Sequence, residues 1–359
     1  MASNSSGAGF YGGAADLTRF QEAINGIMGT MQLTNDAAIY SRLAFVDNGS
    51  TTNGTPVGRE IGGIANGSDG QAGDVVHYPL SPVTNAPKYM PLGVPRQTTD
   101  AVIVDVAVER QGDGVDTERL YIDKQDPYQI LLGKQGAIAS RMLRAPDFRL
   151  AYVINSNPIP VGYFDGLPYF HTAHPVKPGS SVTFSNDVTC TTAEWESGDG
   201  MGILLNALAS IPWFDGKLKD GSMAKPMIVT SNMLRAAKAR QVLGMITTTL
   251  GSPLIGTAAG GSQQSPWSGM ASSVENFQDL YDPTNFADSG KYVYAFATTG
   301  GATQPAFIVS PKRWPEFHVY GLDPNEEIRR VWRAIGWDWD AFYGVGPGLP
   351  QCGARIKIG

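Results

Sequence analysis

The chain carries one His-x-x-His pair, His171 and His174, within residues 146–175. Two histidines at short spacing can bind a zinc ion when the fold supplies a third or fourth ligand. Asp165 and Asp199 are the carboxylates that could complete such a site. A metal-dependent hydrolase using His171 and His174 is therefore one hypothesis for the function of this chain.

The flanking sequence favours a structural role for the same pair. Pro168 precedes it and Pro175 follows it, and no Glu stands between the two histidines. The pair therefore does not lie on a long helix, and the general base of the usual zinc-hydrolase motif is missing. We expect a turn in which the imidazoles hydrogen-bond to backbone, with no metal site, no cofactor site and no catalytic residue.

Other chemical signals in the chain are weak. Gly7, Gly9 and Gly12 spell G-x-G-x-x-G, but they follow a polar terminus and not the strand that a dinucleotide site requires. The two cysteines, Cys190 and Cys352, lie far apart in sequence. Buried structural thiols in a reduced compartment are the simpler interpretation of both.

The composition indicates a protein with extensive subunit interfaces. Among 359 residues, 42% are hydrophobic, 10% are aromatic and 17% are charged, against roughly 25% charged in an ordinary soluble domain. Interface cores lose Lys and Glu and gain aromatics, which fits this pattern. A net charge of −6 gives no electrostatic basis for gripping nucleic acid. No secretion signal and no membrane-spanning run are expected.

The first half of the chain predicts two helices and a strand around a long Gly-rich stretch. Residues 17–31 show apolar positions at helical spacing, and residues 47–96 are rich in Gly, Asn, Pro and Thr, which favours an ordered hairpin lying on a neighbour. Residues 98–110 alternate as a strand with one apolar face. Residues 126–145 predict the longest helix, ended by Pro146. The stripe of the first helix comprises Leu17, Phe20, Ile24, Ile27, Met28 and Met31.

The second half mixes helices and strands without a βαβ repeat. Residues 192–210 predict one helix. Residues 227–230 predict a strand that enters a helix capped by Ser231 or Asn232. Near the end, Trp337, Trp339 and Ala341 alternate against Asp338, Asp340 and Phe342. The fold class predicted is α+β, with strands supplied from both ends of the sequence.

One stretch resembles a known family. Residues 144–174 combine a basic helix end, an Asn-rich turn and the run DGLPYFHTAH, and residues 314–344 give weaker support. This arrangement resembles tailed-phage major capsid proteins with the HK97 fold, most closely the Mu-type major head subunit. The resemblance implies an HK97-type architecture with an N-terminal arm, an extended E-loop, a P-domain built on a long spine helix, and an A-domain.

The resemblance also implies a domain division. Residues 1–35 would form the N-terminal arm and residues 36–97 the E-loop region. Residues 98–149 and 316–359 would form the P-domain, and residues 150–315 the A-domain.

The function implied is that of a non-enzymatic major capsid protein. Such a subunit assembles as hexamers and pentamers into an icosahedral virion shell that encloses DNA without sequence-specific binding. Its expected partners are copies of itself, portal and scaffolding proteins, and decorating cement proteins in some relatives. Assembly is expected in the cytoplasm of a host bacterium, away from membranes. The alternative within the same fold is an encapsulin-like nanocompartment that packages protein cargo in place of DNA.

Overall fold

The computed structural model describes residues 38–47, 51–52, 55–56, 75–81, 102–118, 127–214, 216, 218, 225–244, 267, 269–297, 304–320 and 334–359. The helix expected over residues 17–31 and most of the Gly-rich stretch lie outside these residues. The part of the chain that is described mixes helix and sheet, which confirms the predicted class.

Five α-helices occur in the described ranges: α1 Ile39–Leu43, α2 Pro127–Ser156, α3 Thr192–Ser197, α4 Asp199–Ala209 and α5 Met233–Val242. The strands of the first half are β1 Ala44–Val46, β2 Thr51–Thr52, β3 Thr55–Pro56, β4 Val75–Leu80, β5 Val102–Ala107 and β6 Glu109–Glu118. The remaining strands are β7 His174–Pro175, β8 Thr183–Phe184, β9 Asp187–Cys190, β10 Met227–Thr230, β11 Ser273–Asn276, β12 Tyr292–Phe296, β13 Phe307–Tyr320, β14 Ala334–Pro347 and β15 Gly353–Ile358.

A four-stranded sheet in the order β1-β13-β14-β6 forms one unit of the fold. The long strands β13 and β14 pair antiparallel, β6 pairs antiparallel with β14, and β1 runs parallel to β13. The antiparallel pair of β4 and β5 packs against β14. Gly344 in β14 permits this approach, because a Cβ at that position would collide with the Ala107 carbonyl oxygen.

A five-stranded sheet in the order β11-β10-β12-β15-β9 forms the second unit. Its central strands β10 and β12 are buried on both faces, and β12 shows how successive side chains alternate between two cores. Tyr294 and Phe296 point into the core shared with the first sheet, whereas Val293 and Ala295 point into a second core. Helices α3, α4 and α5 cover that second core.

Helix α2 runs eleven residues beyond its expected end at residue 145. The prediction that Pro146 ends this helix is wrong, because Pro146 lies inside Pro127–Ser156. An interior proline removes one hydrogen bond and costs about 3 kcal/mol. The residues that follow it offset this cost, since Leu150, Ala151 and Ile154 are all buried in the first core.

Asp147 joins this continued part of α2 to α1. The backbone N–H groups of Ile39 and Tyr40, at the first turn of α1, donate to the Asp147 carboxylate, and the bond from Tyr40 measures 2.8 Å. Burial raises the pKa of Asp147, and these two donors oppose the shift. A residue distant in sequence therefore caps α1, whose own N-cap residue Ala38 has no side-chain hydrogen bond.

The single helix expected over residues 192–210 is two helices. Gly198 has φ +96° and separates α3 from α4, a backbone conformation that suits glycine. Thr191 and Glu194 form a capping box at the start of α3. The capping prediction for the next helix is confirmed, since the Asn232 side chain accepts from the backbone N–H groups of Leu234 and Arg235.

The two predicted strand alternations are confirmed within the described residues. The even-numbered valines of 102–108 are buried, and Ile103 and Ala107 are exposed. In β14, Trp339, Ala341 and Tyr343 are buried, with their intervening neighbours partly exposed. Each face pattern follows from the two-residue period of a strand.

The last strands of the chain belong to different sheets. Strand β13 begins at Phe307 and belongs to the first sheet with β14. Strand β15 lies between β12 and β9 in the second sheet. The last segment of the chain therefore returns to the unit formed by residues 187–296.

Candidate functional site

The turn that follows α2 contains the His-x-x-His pair and is fixed by an asparagine at its start. Asn157 has φ +48°, the one described non-glycine residue with positive φ. Its side chain pairs with both backbone groups of Phe170: Oδ1 accepts from the N–H at 2.7 Å, and Nδ2 donates to the carbonyl at 3.0 Å. These bonds hold an unfavourable backbone conformation in place and close a loop of residues 157–170.

A second asparagine holds the same backbone one residue further on. Asn186 is fully buried, and its Oδ1 accepts from the His171 N–H at 2.7 Å. Its Nδ2 donates to the carbonyls of Tyr169 and Pro350 at 2.8 and 3.0 Å. The turn is thereby tied to the segment that leads into β15. We call residues 157–186 the clasped turn.

His174 lies at the centre of the clasped turn with no exposure to solvent. Its Nδ1 is 2.6 Å from Oδ2 of Asp165, whose side chain is 1% exposed, and its Nε2 is 3.2 Å from the Tyr169 carbonyl oxygen. The Tyr169 carbonyl can only accept, so Nε2 donates to it. The geometry is that of a buried histidine–aspartate pair, with the ring stacked on Phe184 at 5.1 Å.

His171 has a different role. Its Nδ1 accepts from the Ala173 backbone N–H at 3.1 Å, and its ring centroid is 5.7 Å from that of His174. The prediction of a turn with imidazoles bonded to backbone is confirmed for both histidines. Sequence reasoning missed the direct pairing of His174 with Asp165, because nine residues separate the two and only the turn geometry brings them together.

Both ring nitrogens of His174 already have hydrogen-bond partners within the protein. Within the described ranges, no group of three or more His, Cys, Asp or Glu side chains is placed to hold a metal ion. Asp199, the other carboxylate considered for a metal site, accepts from the Ser197 hydroxyl at 2.9 Å in the first turn of α4.

Both thiols are buried and free of disulfide bonds. Burial raises the pKa of Cys190, which keeps it in the unreactive thiol form. The Cys352 Sγ donates to the Gln304 carbonyl at 3.3 Å. The prediction that both cysteines are buried is confirmed.

Aromatic rings and one arginine complete the packing between the clasped turn and the second sheet. The Arg355 guanidinium lies 5.0 Å from the Phe170 ring centroid and 4.6 Å from that of Tyr292. It also donates to both carboxylate oxygens of Asp187, at 3.0 and 2.7 Å. Burial acts to lower the pKa of Arg355, but the hydrogen bond and the charge of Asp187, together with Tyr292 and Tyr294, outweigh it, so the pKa is raised. The arginine is therefore a fixed cation.

The other two histidines also contact aspartates on neighbouring strands. His77 Nδ1 lies 2.6 Å from Oδ1 of Asp105, and His318 Nε2 lies 3.1 Å from Oδ1 of Asp340. His77 and Asp105 are direct partners in the β4–β5 register. Sequence reasoning missed these partners, because strand register was not available from the sequence alone.

None of the helices in the described ranges combines the length and hydropathy that a membrane crossing requires.

The chain is similar to several solved structures. No protein-family model and no curated protein matches the chain. The solved structures to which it is similar include bacteriophage capsids and a procapsid. The capsid of the cyanophage P-SCSP1u is similar over 90% of this chain and 88% of that chain, with 10% identity and a TM-score of 0.47.

Two further structures are similar over most of the chain. A structure of Mycobacterium phage Patience is 11% identical, with 94% of this chain and 88% of that chain covered and a TM-score of 0.48. The procapsid of bacteriophage JBD30 is 14% identical, with 95% of this chain and 75% of that chain covered and a TM-score of 0.43.

Proposed function

We propose that the chain is the major capsid protein of a tailed phage, with the HK97-type fold and no enzymatic role. The finer assignment to the Mu-type head subunits is part of this proposal and is supported by residues 144–174, which carry the sequence resemblance. Hexamers and pentamers of the subunit would form an icosahedral shell around phage DNA, assembled in the cytoplasm of a bacterial host.

The position of α2 is the observation that carries the proposal. This 30-residue helix contacts β6, β13 and β14, so it lies along a sheet built from strands that precede it and strands far downstream. A long helix backed by a sheet from both parts of the chain is the organisation that the resemblance implied for the P-domain. The clasped turn then leads the chain from this helix into the second unit.

Exposed apolar side chains support a subunit that associates with copies of itself. Large hydrophobic residues are more than half exposed at separate places in the described fold, among them Val161, Val182 and Leu234. A shell subunit covers such residues with its neighbours, and each copy would bury well over the roughly 1,000 Å² of an ordinary specific interface. Low charge and abundant aromatics fit the same interpretation.

The domain division that we propose changes the expected one at two points, so that it follows the sheets. We assign residues 1–35 to an N-terminal arm and residues 36–97 to an E-loop region. The P-domain comprises residues 98–149 and the hairpin of β13 and β14, and the A-domain takes most of 150–306 together with β15. The first change keeps residues 307–315 with the rest of β13, and the second places β15 with the strands to which it is hydrogen-bonded.

The proposed partners are those of a shell protein and not those of a protein that recognises a nucleic-acid sequence. The net charge of −6 suits a subunit that encloses DNA without gripping it. Portal and scaffolding proteins, and cement proteins where the phage has them, would contact the assembled shell.

The test is assembly. The full chain is expressed in a bacterium, alone and together with the scaffolding protein of its source, and the products are examined by electron microscopy and sedimentation. Closed icosahedral particles are the expected result. Folded protein that stays monomeric under both conditions would contradict the proposal. Particles that contain a defined protein cargo in place of DNA would identify the encapsulin-like alternative.

A further inference from the structure

An exposed strip of aromatic and arginine side chains follows one face of α2. Phe148 is 43% exposed and Tyr152 is 50% exposed, and Tyr281 beside the helix is 62% exposed. Phe148 and Tyr152 are four residues apart and therefore lie on the same helical face, about 6 Å apart along the axis. We call these three side chains, with Arg144 and Arg149, the aromatic strip.

The side chains of the aromatic strip are held in place. Arg144 donates to both oxygens of Asp279, at 2.7 and 2.6 Å, and its guanidinium lies 4.9 Å from the Phe148 ring centroid. Arg149 contacts Glu109 at 2.8 Å and lies 5.3 Å from the Tyr152 ring centroid. Exposed aromatics that are already ordered lose little conformational entropy on binding, which favours a docking surface.

The described chain begins beside this strip. Tyr40, in the first turn of α1, donates its backbone N–H to Asp147, the residue immediately before Phe148. The 37 residues that precede Ala38 therefore start next to the aromatic strip. Residues 32–37 can span at most roughly 20–25 Å, so the segment ending at Met31 has the reach to lie along α2.

The preceding segment has the matching chemistry. Residues 17–31 place their apolar positions on one face of a helix, which would be about 22 Å long. The first 37 residues also contain Asp16, Glu22 and Asp36 against the single cation Arg19. An apolar stripe would cover the rings of Phe148 and Tyr152, and the net negative charge of the first 37 residues complements a surface that carries Arg144 and Arg149.

We propose that the aromatic strip is the docking surface for residues 17–31 of the same chain. Leu17, Phe20, Ile24, Ile27, Met28 and Met31 would face α2, and the polar face of the segment would point to solvent. The proposal concerns the folding of each copy and does not depend on the shell function.

Disulfide trapping tests whether residues 17–31 contact the aromatic strip and which face of the segment makes the contact. The full chain with Met28→Cys and Tyr152→Cys is oxidised and run on a non-reducing denaturing gel. An intramolecular disulfide, seen as a faster monomer band, is expected in most of the protein. The matched control pairs Glu22→Cys, on the opposite face of the segment, with Tyr152→Cys, and should cross-link much less. The native Cys190 and Cys352 are buried, so the unsubstituted chain provides the background.

Three outcomes of the gel would overturn the proposal. A dimer band without the fast monomer band would show that the segment docks on another copy. Equal cross-linking of the test and control pairs would show that the segment has no preferred face. Absence of any cross-link in folded protein would show that it does not reach the strip.

Amide hydrogen exchange tests the same contact without cysteines. Residues 17–31 should be protected in the full chain, and Phe148→Ser with Tyr152→Ser should speed their exchange by about tenfold or more. Both substituted side chains are exposed, so the core should stay folded. Met233→Ser with Leu234→Ser is the matched control, because these residues are 65% and 80% exposed on α5. Exchange in residues 17–31 that is already fast, or that responds equally to both variants, would refute the proposal.

Discussion

Two histidine–aspartate pairs in this protein have the same contact distance and opposite surroundings. His174 and Asp165 are 2.6 Å apart with side chains 0% and 1% exposed. His77 and Asp105 are also 2.6 Å apart, with side chains 35% and 22% exposed. Removing one partner of a buried pair leaves an unpaired charge or an unpaired polar atom, whereas water solvates the survivor of an exposed pair. Equal geometry therefore does not imply equal contribution to stability.

The largest effect is expected from Asp165→Ala. This change removes the partner of His174 Nδ1 and the acceptor of the Leu167 backbone N–H. The free energy of unfolding should fall by about 3–5 kcal/mol, measured by denaturant titration.

Asp165→Asn is the matched control for this variant. An amide can donate to the Nδ1 of a neutral His174, whose Nε2 still donates to the Tyr169 carbonyl, so the loss should be clearly smaller. A loss below about 1 kcal/mol for Asp165→Ala would show that the buried pair is no more important than an exposed one.

A smaller effect is expected from Asn157→Ala, which weakens the frame around the buried pair. Two hydrogen bonds to Phe170 are lost, and alanine is strained at φ +48°. The free energy of unfolding should fall by about 2–3 kcal/mol. Asn157→Gly loses the same bonds without the backbone strain and should cost less. If the two variants are equally destabilised, the strain at this position is negligible.

Substitution in the exposed His77–Asp105 pair should change the stability only slightly. Asp105→Asn should change the free energy of unfolding by about 0–1 kcal/mol, and the difference should shrink further at high salt. Urea titrations at two ionic strengths measure both quantities. A loss comparable to that of Asp165→Ala would remove the contrast between the two pairs.

The smallest effect concerns Asp288, a solvent-exposed carboxylate that contacts Lys291 and Lys357. Hydrogen bonds from Lys357 and Lys291 lower its pKa from 3.8 to about 2. The contribution of this group is therefore present above pH about 4 and is lost as the pH falls through about 2. Asp288→Asn should lower the stability slightly above pH about 4, where the ion pairs with Lys291 and Lys357 are present, and should flatten the stability profile between pH about 4 and about 2. An identical acid limb in both proteins would contradict the assignment.

The sequence correctly predicted those structural features that depend only on residues close together in the chain. The alternation of residues 102–108 and the Asn232 cap were both predicted, because side-chain period and capping depend on nearby residues. The expected end of α2 at Pro146 was wrong, because the burial of Leu150 and Ile154 offsets the proline. The break at Gly198 was missed because glycine is tolerated inside helices as well as between them.

The site was predicted in part. Prolines on both sides and the lack of a catalytic Glu indicated a turn at His171 and His174, and the backbone bonds confirm it. The sequence did not identify Asn157 and Asn186 as the side chains whose hydrogen bonds hold the turn. Asn186 reaches Pro350, and such a contact depends on tertiary structure that no short motif encodes.

The position of β15 has a consequence for biosynthesis. This strand lies between β12 and β9, so residues 353–358 supply the hydrogen-bonding partners of strands made much earlier on the ribosome. Pairing of such distant segments is slow to nucleate. The second sheet cannot close until residues 353–358 have left the ribosome, and until then β9 and β12 lack the strand that joins them. The emergence of residues 353–358 from the ribosome would therefore set the earliest time at which the second sheet is complete.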